Sequence, residues 1–392
     1  MATTTPNFGW AVPTSSDLVK NGATAIETLG DSIDASMVDL RGGTVGQTLV
    51  KASATEMDFA WSSTPSASNP ILNSSFDIWA RGTSISVAAS TTFQYSADRW
   101  ALSTNANQAS TVSRQATGDT TNLPFIQYCS RVQRNSGQTG AAYQDFYYGF
   151  DTASAIPLAG KTITLSFYAR RGSNYSATSN LLKVRVYTGT GTDQNFATGY
   201  TGNAEALNTD VTLTTTWQRF TTSVAIGATI TEFATLFTNI TTGTASTNDY
   251  YEITGVQYDI GSVALPYRRN AATIQGETSA CQRYYLKSYN QATAPATASN
   301  TVGNFAYSAI STTSTHNRGN VRFPVAMRTT PTITIYSTST GTSAKIFNEQ
   351  AAADVDGASQ YIGESGFHVY PTSGTPALGN QLLVHYVASA EL

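Results

Sequence analysis

The chain of 392 residues carries 22 Lys+Arg against 25 Asp+Glu, a formal charge of −3, and is only 12% charged, about half the usual share. So neutral a chain has no cationic field for phosphates, which argues against a nucleic-acid partner, and no apolar run reaches the ~18–20 residues that span a bilayer. Thr and Ser make up roughly a quarter of it, with 21 Tyr, 16 Phe and 5 Trp, a mixture suited to pleated, half-buried strands and too rich in core material for disorder.

The opening MATTTPNFGWAVP has no basic stretch followed by an apolar one, so no secretory leader is expected. SSDLVKNGATAIETLGDSIDASMVDL follows, with Ser15, Ser16 or Asp17 as N-cap. Val19, Ile26, Ile33 and Leu40 recur every seven residues, and Leu29 occupies an intervening d position. This predicts a short helix with a coiled-coil-like seam, weakened by Gly22, Gly30 and Ser36. Such a helix gains from association with copies of itself or with a docking surface. Residues 41–61, RGGTVGQTLVKASATEMDFAW, read as a small β module: a Gly42-Gly43 turn, a strand from Thr48 to Lys51, and Asp58 to Trp61 closing it. SSTPSASNP has linker composition.

From about residue 70 to 268, short strands recur at roughly ten-residue spacing, the pattern of a sandwich. KTITLSFYAR (161–170) alternates, with Ile163, Leu165, Phe167 and Ala169 on one face; LLKVRVYT (181–188) buries Leu182, Val184 and Val186. WQRFTTSVAI (217–226) and YYEITGVQYDI (250–260) continue the series. In the last, Tyr251 and Ile253 share one phase and Val256, Tyr258 and Ile260 the other, which predicts a β-bulge at Gly255. Ile274, Thr278, Cys281 and Tyr285 then mark one short helix. GNFAYSAIS, NVRFPVAMRTTPTITIYS, GFHVYPT and QLLVHYVAS form a second β region. The chain therefore divides into an attachment segment (1–40), a small β module with linker (41–69), a central β-sandwich (70–268) and a C-terminal β domain with a leading helix (269–392). The fold class is mainly β, with a short N-terminal helical segment, a central jelly roll and a small C-terminal sandwich.

Three stretches resemble modules of bacteriophage tail-fibre and minor tail proteins. PNFGWAVPTSSDLVKNGATAIETLGDSID leading into GGTVGQTLVKASATEMDFAW is similar to their N-terminal signature and glycine-turn module. NPILNSSFDIWARGTS, YSADRW and YYEITGVQYDIGSVALPYRR resemble the carbohydrate-binding-module-like jelly roll of phage fibres. ACQRYYLKS with RFPVAMRTTPTIT is similar to a domain often found behind it. The resemblance implies a virion protein assembled in the bacterial cytoplasm, a short trimeric tail fibre or receptor-binding minor tail protein. Its N-terminal segment would attach to tail or baseplate proteins, and its outer domains would meet a host-surface glycan. A head-fibre or collar protein without a receptor is the alternative, and a polysaccharide-degrading spike a lesser one.

Residue chemistry favours binding over catalysis. His316, His368 and His385 have no metal-ligand spacing and read as loop or surface residues. No G-x-S-x-G elbow exists. Asp98, Asp145, Asp151, Glu252 and Asp259 are the carboxylates a glycosidase would draw on, but no long β-helix repeat accompanies them; no enzyme activity is expected. Asp77 and Asp259 are the residues to inspect for a structural Ca²⁺, yet no calcium-loop spacing marks them, and no metal or cofactor is assigned. Cys129 and Cys281 read as buried free thiols, and the sequons at Asn73, Asn174 and Asn239 as chance. For glycan contact the candidates are Trp79, Arg81, Asp98, Arg99 and Trp100 of the jelly-roll signature, although both tryptophans also suit a core. Tyr175, Phe196 and Tyr200 at the tips of Gly/Ser/Asn-rich loops are preferred. The trimer seam is Val19, Ile26, Leu29, Ile33 and Leu40.

Overall fold

A computed structural model describes residues 3–14, 18–43, 47–63, 69–374 and 376–392; the N-cap candidates Ser15, Ser16 and Asp17 lie outside them. Near the N-terminus, β1 (Thr3–Thr4) and β2 (Ala11–Val12) form a small hairpin beside helix α1 (Gly22–Met37). Trp10 donates its indole N–H to Ser36 Oγ (3.1 Å), so the chain covers one side of the helix itself. Thr28, Ser32 and Ser36 each return a hydroxyl to the carbonyl four residues earlier, which adds nothing to helix stability. No residue of α1 is buried. Strands β3 (Gln47–Lys51) and β4 (Phe59–Ser63) pair antiparallel. Gly43, at φ +83°, lies so close to the Trp61 ring that a Cβ would stand 2.7 Å from it, hence the glycine turn opposite Trp61.

The central domain is a sandwich of two six-stranded antiparallel sheets. Its strands are β5 (Ser84–Val87), β6 (Gln94–Tyr95), β7 (Trp100–Thr104), β8 (Ser110–Ala116), β9 (Tyr128–Arg134) and β10 (Ala142–Phe150). After the single turn α2 (Thr152–Ala155) come β11 (Thr162–Arg171), β12 (Leu181–Gly189), β13 (Ala204–Thr212), β14 (Gln218–Ala225), β15 (Glu232–Thr241) and β16 (Tyr250–Ile260). One sheet runs β13-β12-β15-β10-β7-β6 and the other β14-β11-β16-β9-β8-β5. The predicted inward phases hold: Ile163, Leu165, Phe167, Ala169, Leu182, Val184 and Val186 are all buried. Opposite Phe167, β16 carries an extra residue; the register slips between Ser166 and Tyr168, and Gly255 sits at φ +60°. The bulge is therefore where the phase break places it. Trp100 anchors the space between the sheets, stacked on Phe146 (5.1 Å between ring centroids) and near Phe76 (5.0 Å). Offset ring pairs of this kind add about 0.5–1.5 kcal/mol beyond the burial itself.

Helix α3 (Ile274–Gln282) follows, and Cys281 and Tyr284 enter the central core. The helix thus packs on the sandwich, although it stands at the head of the C-terminal region in sequence. Glu277 fixes it by accepting from the backbone N–H groups of Asn73 (2.6 Å) and Ala271 (2.9 Å). The last domain comprises β17 (Tyr285–Lys287), β18 (Phe305–Ser308), β19 (Gly319–Arg322), β20 (Thr332–Ser337), β21 (Lys345–Asn348), β22 (Ala353–Gly363), β23 (Gly366–Pro371) and β24 (Gln381–Ser389). β24 pairs with β17, β18, β20 and β21. The core around it includes Leu286, Val321, Ile346, Phe367 and Val384. Strands β21 and β22 were not anticipated. Among the described residues, no helix is long and apolar enough to cross a membrane.

Candidate functional site

The signature residues gather at one place, the joint between the two β domains. YSADRW is the turn of the β6–β7 hairpin: Ser96 N donates to Trp100 O (2.9 Å) and Trp100 N to Ala97 O (2.9 Å). Arg99 takes a left-handed backbone (φ +73°). In the preceding stretch Asn73 acts as a clamp. Its side chain accepts from Ile78 N (2.9 Å) and donates to Ile78 O (2.8 Å) and Asp98 O (3.1 Å).

Against this end of the sandwich lies Glu391. One carboxylate oxygen accepts from Arg81 (3.1 Å) and the other from Arg99. The guanidinium of Arg81 lies over the Tyr285 ring (3.6 Å to its centroid) and that of Arg99 over Tyr284 (3.7 Å). Arg99 also donates to Gly149 O (2.7 Å). Leu392 O accepts from Asn195 Nδ2 (2.9 Å), and Arg328 Nε donates to Ala390 O (2.9 Å). Arg99, Asp98 and the Glu391 side chain are almost wholly buried. Two cations share one anion in low dielectric, stacked on aromatic faces. Asp98 accepts from Ala80 N (2.9 Å), with Arg81 at 3.7 Å. Burial pushes its carboxyl up to about 6 against that attraction. Beside it, burial brings Lys287 down to about 8; its ammonium donates to Gln291 O (2.9 Å).

The candidate glycan residues need correction on this basis. Trp79 and Trp100 are fully buried and fill the core. Arg81, Asp98 and Arg99 hold the domain joint rather than a ligand. Tyr175 plugs the core beneath its loop and donates its hydroxyl to Leu181 O (3.0 Å). Phe196 and Tyr200 belong to a loop that lies down on the outer face of the β10–β15–β12 sheet, packing with Tyr147 and Tyr187. His385 is also no surface residue: it is buried, stacked on Tyr289 (3.8 Å) and bonded to Ser288 Oγ (2.8 Å). Cys129 and Cys281 are buried free thiols.

The carboxylates are engaged separately. Asp151 caps α2 and accepts from the Tyr284 hydroxyl (3.0 Å). Glu252 sits between Arg131 and Arg170. Asp259 pairs with Arg268 (2.7 Å) and Asp77 with Arg269 (3.0 Å). Among the described residues, no group of three acidic, His or Cys side chains is arranged to hold a metal ion.

The loop leaves the other half of the same outer face partly open: Asp145 and Thr238 are buried in it, while Lys183 is half-buried and Asp210 exposed. There Asp145, Thr238, Lys183 and Asp210 stand in one row across β10, β15, β12 and β13. Thr238 donates to Asp145 Oδ1, and Lys183 pairs with Asp210 (2.8 Å). Burial holds the Asp145 carboxyl above its ordinary range. In the next row Tyr143 faces Ile240, 43% and 47% exposed. Thr178, Leu181, Lys183, Asp210, Thr238 and Ile240 help to line a cavity of about 180 Å³ here. Apolar rings beside a fixed set of donors and acceptors suit a pyranose, whose CH face and hydroxyl edge need one of each. The alternation of AYQDFYYGF, with Tyr143, Asp145 and Tyr147 outward, was the signal for this surface.

No family model matches the chain, and no curated protein matches it. Solved structures matched over part of the chain include the enzymatically active domain of bacteriophage CBA120 tailspike protein 4, at 11% identity and TM-score 0.30, covering 49% of this chain. The match spans about a fifth (21%) of that tailspike chain. Two others are the CBM22-1 xylan-binding domain of Paenibacillus barcinonensis Xyn10C (11% identity, TM-score 0.28, 47% of this chain and 99% of that one) and the C-terminal family 22 carbohydrate-binding module of Clostridium thermocellum Xyn10B (12%, 0.29, 48% and 98%).

Proposed function

We propose that the chain is a bacteriophage virion protein, a short trimeric tail fibre or receptor-binding minor tail protein, that attaches the particle to host-surface glycan without cleaving it. The open half of the outer sheet face carries this reading: Tyr143 and Ile240 supply an exposed apolar platform beside the Lys183–Asp210 pair. The sequence resemblance supplies the virion. The partly exposed seam along and around α1 supports self-association, since Val19 and Ile26 are 96% and 64% exposed while Leu29, Ile33 and Leu40 are half-buried. Three weak sites on one trimer gain avidity beyond any one of them. Tyr143→Ala is expected to weaken binding of the purified protein to host polysaccharide about tenfold, 1.4 kcal/mol, while Phe196→Ala leaves it within twofold. Equal binding by all three proteins removes this face as the site; released oligosaccharide at high protein concentration overturns the non-enzymatic reading.

A second reading, a head-fibre or collar strut with no receptor, is favoured by the burial of Tyr175 and Tyr200, which leaves the two Gly/Ser/Asn-rich loops at 170–180 and 187–205 without fully exposed aromatic tips. Phage adsorption unaffected by Tyr143→Ala would select it.

A further inference from the structure

A second cavity, of about 370 Å³, opens between residues 70–72, the α2 turn and α3. That volume is within the range of small-molecule sites. Leu72, Leu158 and Ala280 line it with the rings of Tyr148, Tyr258 and Tyr284. The three phenol hydroxyls are already committed. Tyr148 accepts from Leu72 N (3.2 Å), Tyr258 bonds Thr235 Oγ1 (2.6 Å), and Tyr284 donates to Asp151 Oδ2 (3.0 Å). Apart from Ser154 and Asn270, the walls therefore present mostly carbon.

Arg283 reaches the same cavity from α3's C-terminal end. Its half-exposed guanidinium has no ion pair or hydrogen bond among the described residues; its nearest ring, Tyr284, is 5.9 Å away. Most of the buried or half-buried arginines around the joint behave differently. Arg81, Arg99, Arg268, Arg269 and Arg328 each meet a carboxylate. A planar cation left open at the edge of an apolar cavity matches a carboxylate in two-point fashion. We propose that this cavity binds a small organic monoanion with an apolar body, its carboxylate on Arg283 and its ring or chain against Leu72, Leu158 and Ala280. The assignment is independent of the glycan face, which lies on the β10–β15–β12 sheet.

The test uses the full chain and anilinonaphthalene sulfonate, whose emission rises in an apolar site, with phenylacetate and its neutral isostere phenylacetamide as competitors. Saturable binding, displaced by phenylacetate at concentrations where phenylacetamide leaves it in place, is expected. Arg283→Ala should weaken the dye at least tenfold and Arg283→Glu abolish it, with Tyr143→Ala unchanged. Because Arg283 is half-exposed, both variants should fold, and far-UV circular dichroism checks this. No saturable binding, equal displacement by the two competitors, or full binding by both Arg283 variants would overturn the proposal; the last would assign the dye to another surface such as the α1 seam.

Discussion

The domain joint and the N-terminal helix reverse the usual placement of side chains, in opposite senses. At the joint, charge is inside: Arg99, Asp98 and Glu391 are buried, and every one has a partner on the same chain. Along the N-terminal helical segment, apolar surface is outside, with Val19, just before α1, and Ile26, on it, facing solvent and nothing among the described residues burying them. Burying charge is tolerable only when the partners are fixed and the hydrogen bonds made. Leaving branched aliphatics bare on a helix with two glycines is tolerable only if something else packs on them. The joint is a finished structure within one chain, whereas the helix has no buried residue of its own.

That contrast can be broken first at Glu391. Glu391→Ala leaves two guanidiniums facing each other without their anion, and a loss of about 3–5 kcal/mol is expected in urea unfolding. The double variant Arg99→Met/Glu391→Met should lose clearly less than Glu391→Ala, because the fully buried Arg99 charge is then gone and Arg81 keeps Asp98 at 3.7 Å. Equal losses would show that packing, not charge, holds the joint.

A smaller effect comes from Asp98. Its carboxyl, raised to about 6 by burial, holds its proton more tightly in the folded than in the unfolded chain. The resulting stability is complete below about pH 4 and disappears as pH rises to about 6, a difference of about 3 kcal/mol at most. Asp98→Asn removes that dependence while keeping an acceptor for Ala80 N. Relative to the parent, it should therefore gain stability between pH 4 and 7. A constant offset across that range would contradict the burial argument.

The smallest effect on stability and the largest on mass belong to the helix. Ile26→Asp should change the unfolding free energy of the β domains by less than about 0.5 kcal/mol. Light scattering should nevertheless fall from a trimer of three 41.6 kDa chains, about 125 kDa, to the single chain. A parent that already runs at 41.6 kDa would refute the trimer and leave the seam to a different partner.

Much of the sandwich was legible because period-two alternation is local. The strand at 161–170, the strand at 181–188 and the bulge at Gly255 each needed only ten neighbouring residues. Strands β21 and β22 escaped because KIFN is short and ADVDGASQYIG is polar, with Asp, Ser and Gln in place of an apolar phase. The signature Arg81-Asp98-Arg99 was misread for a different reason. Its composition suits sugar binding as well as an ion cluster, and only the arrival of Glu391, about 300 positions later in the chain, decides between them. The helix raised no such conflict: its seam and its glycines were both visible, and the hairpin contact from Trp10 to Ser36 was the part that needed three dimensions.

The separation of Arg99 from Glu391 also sets a schedule. At roughly 5–20 residues per second, the ribosome releases Arg99 some 15–60 s before the residue that neutralises it, a gap of 292 positions. Within that interval ten of the twelve strands of the sandwich, β7 to β16, are synthesised, while its joint face still carries two hydrated guanidiniums. The charges that end up buried thus begin as solvated charge on the surface of an unfinished domain.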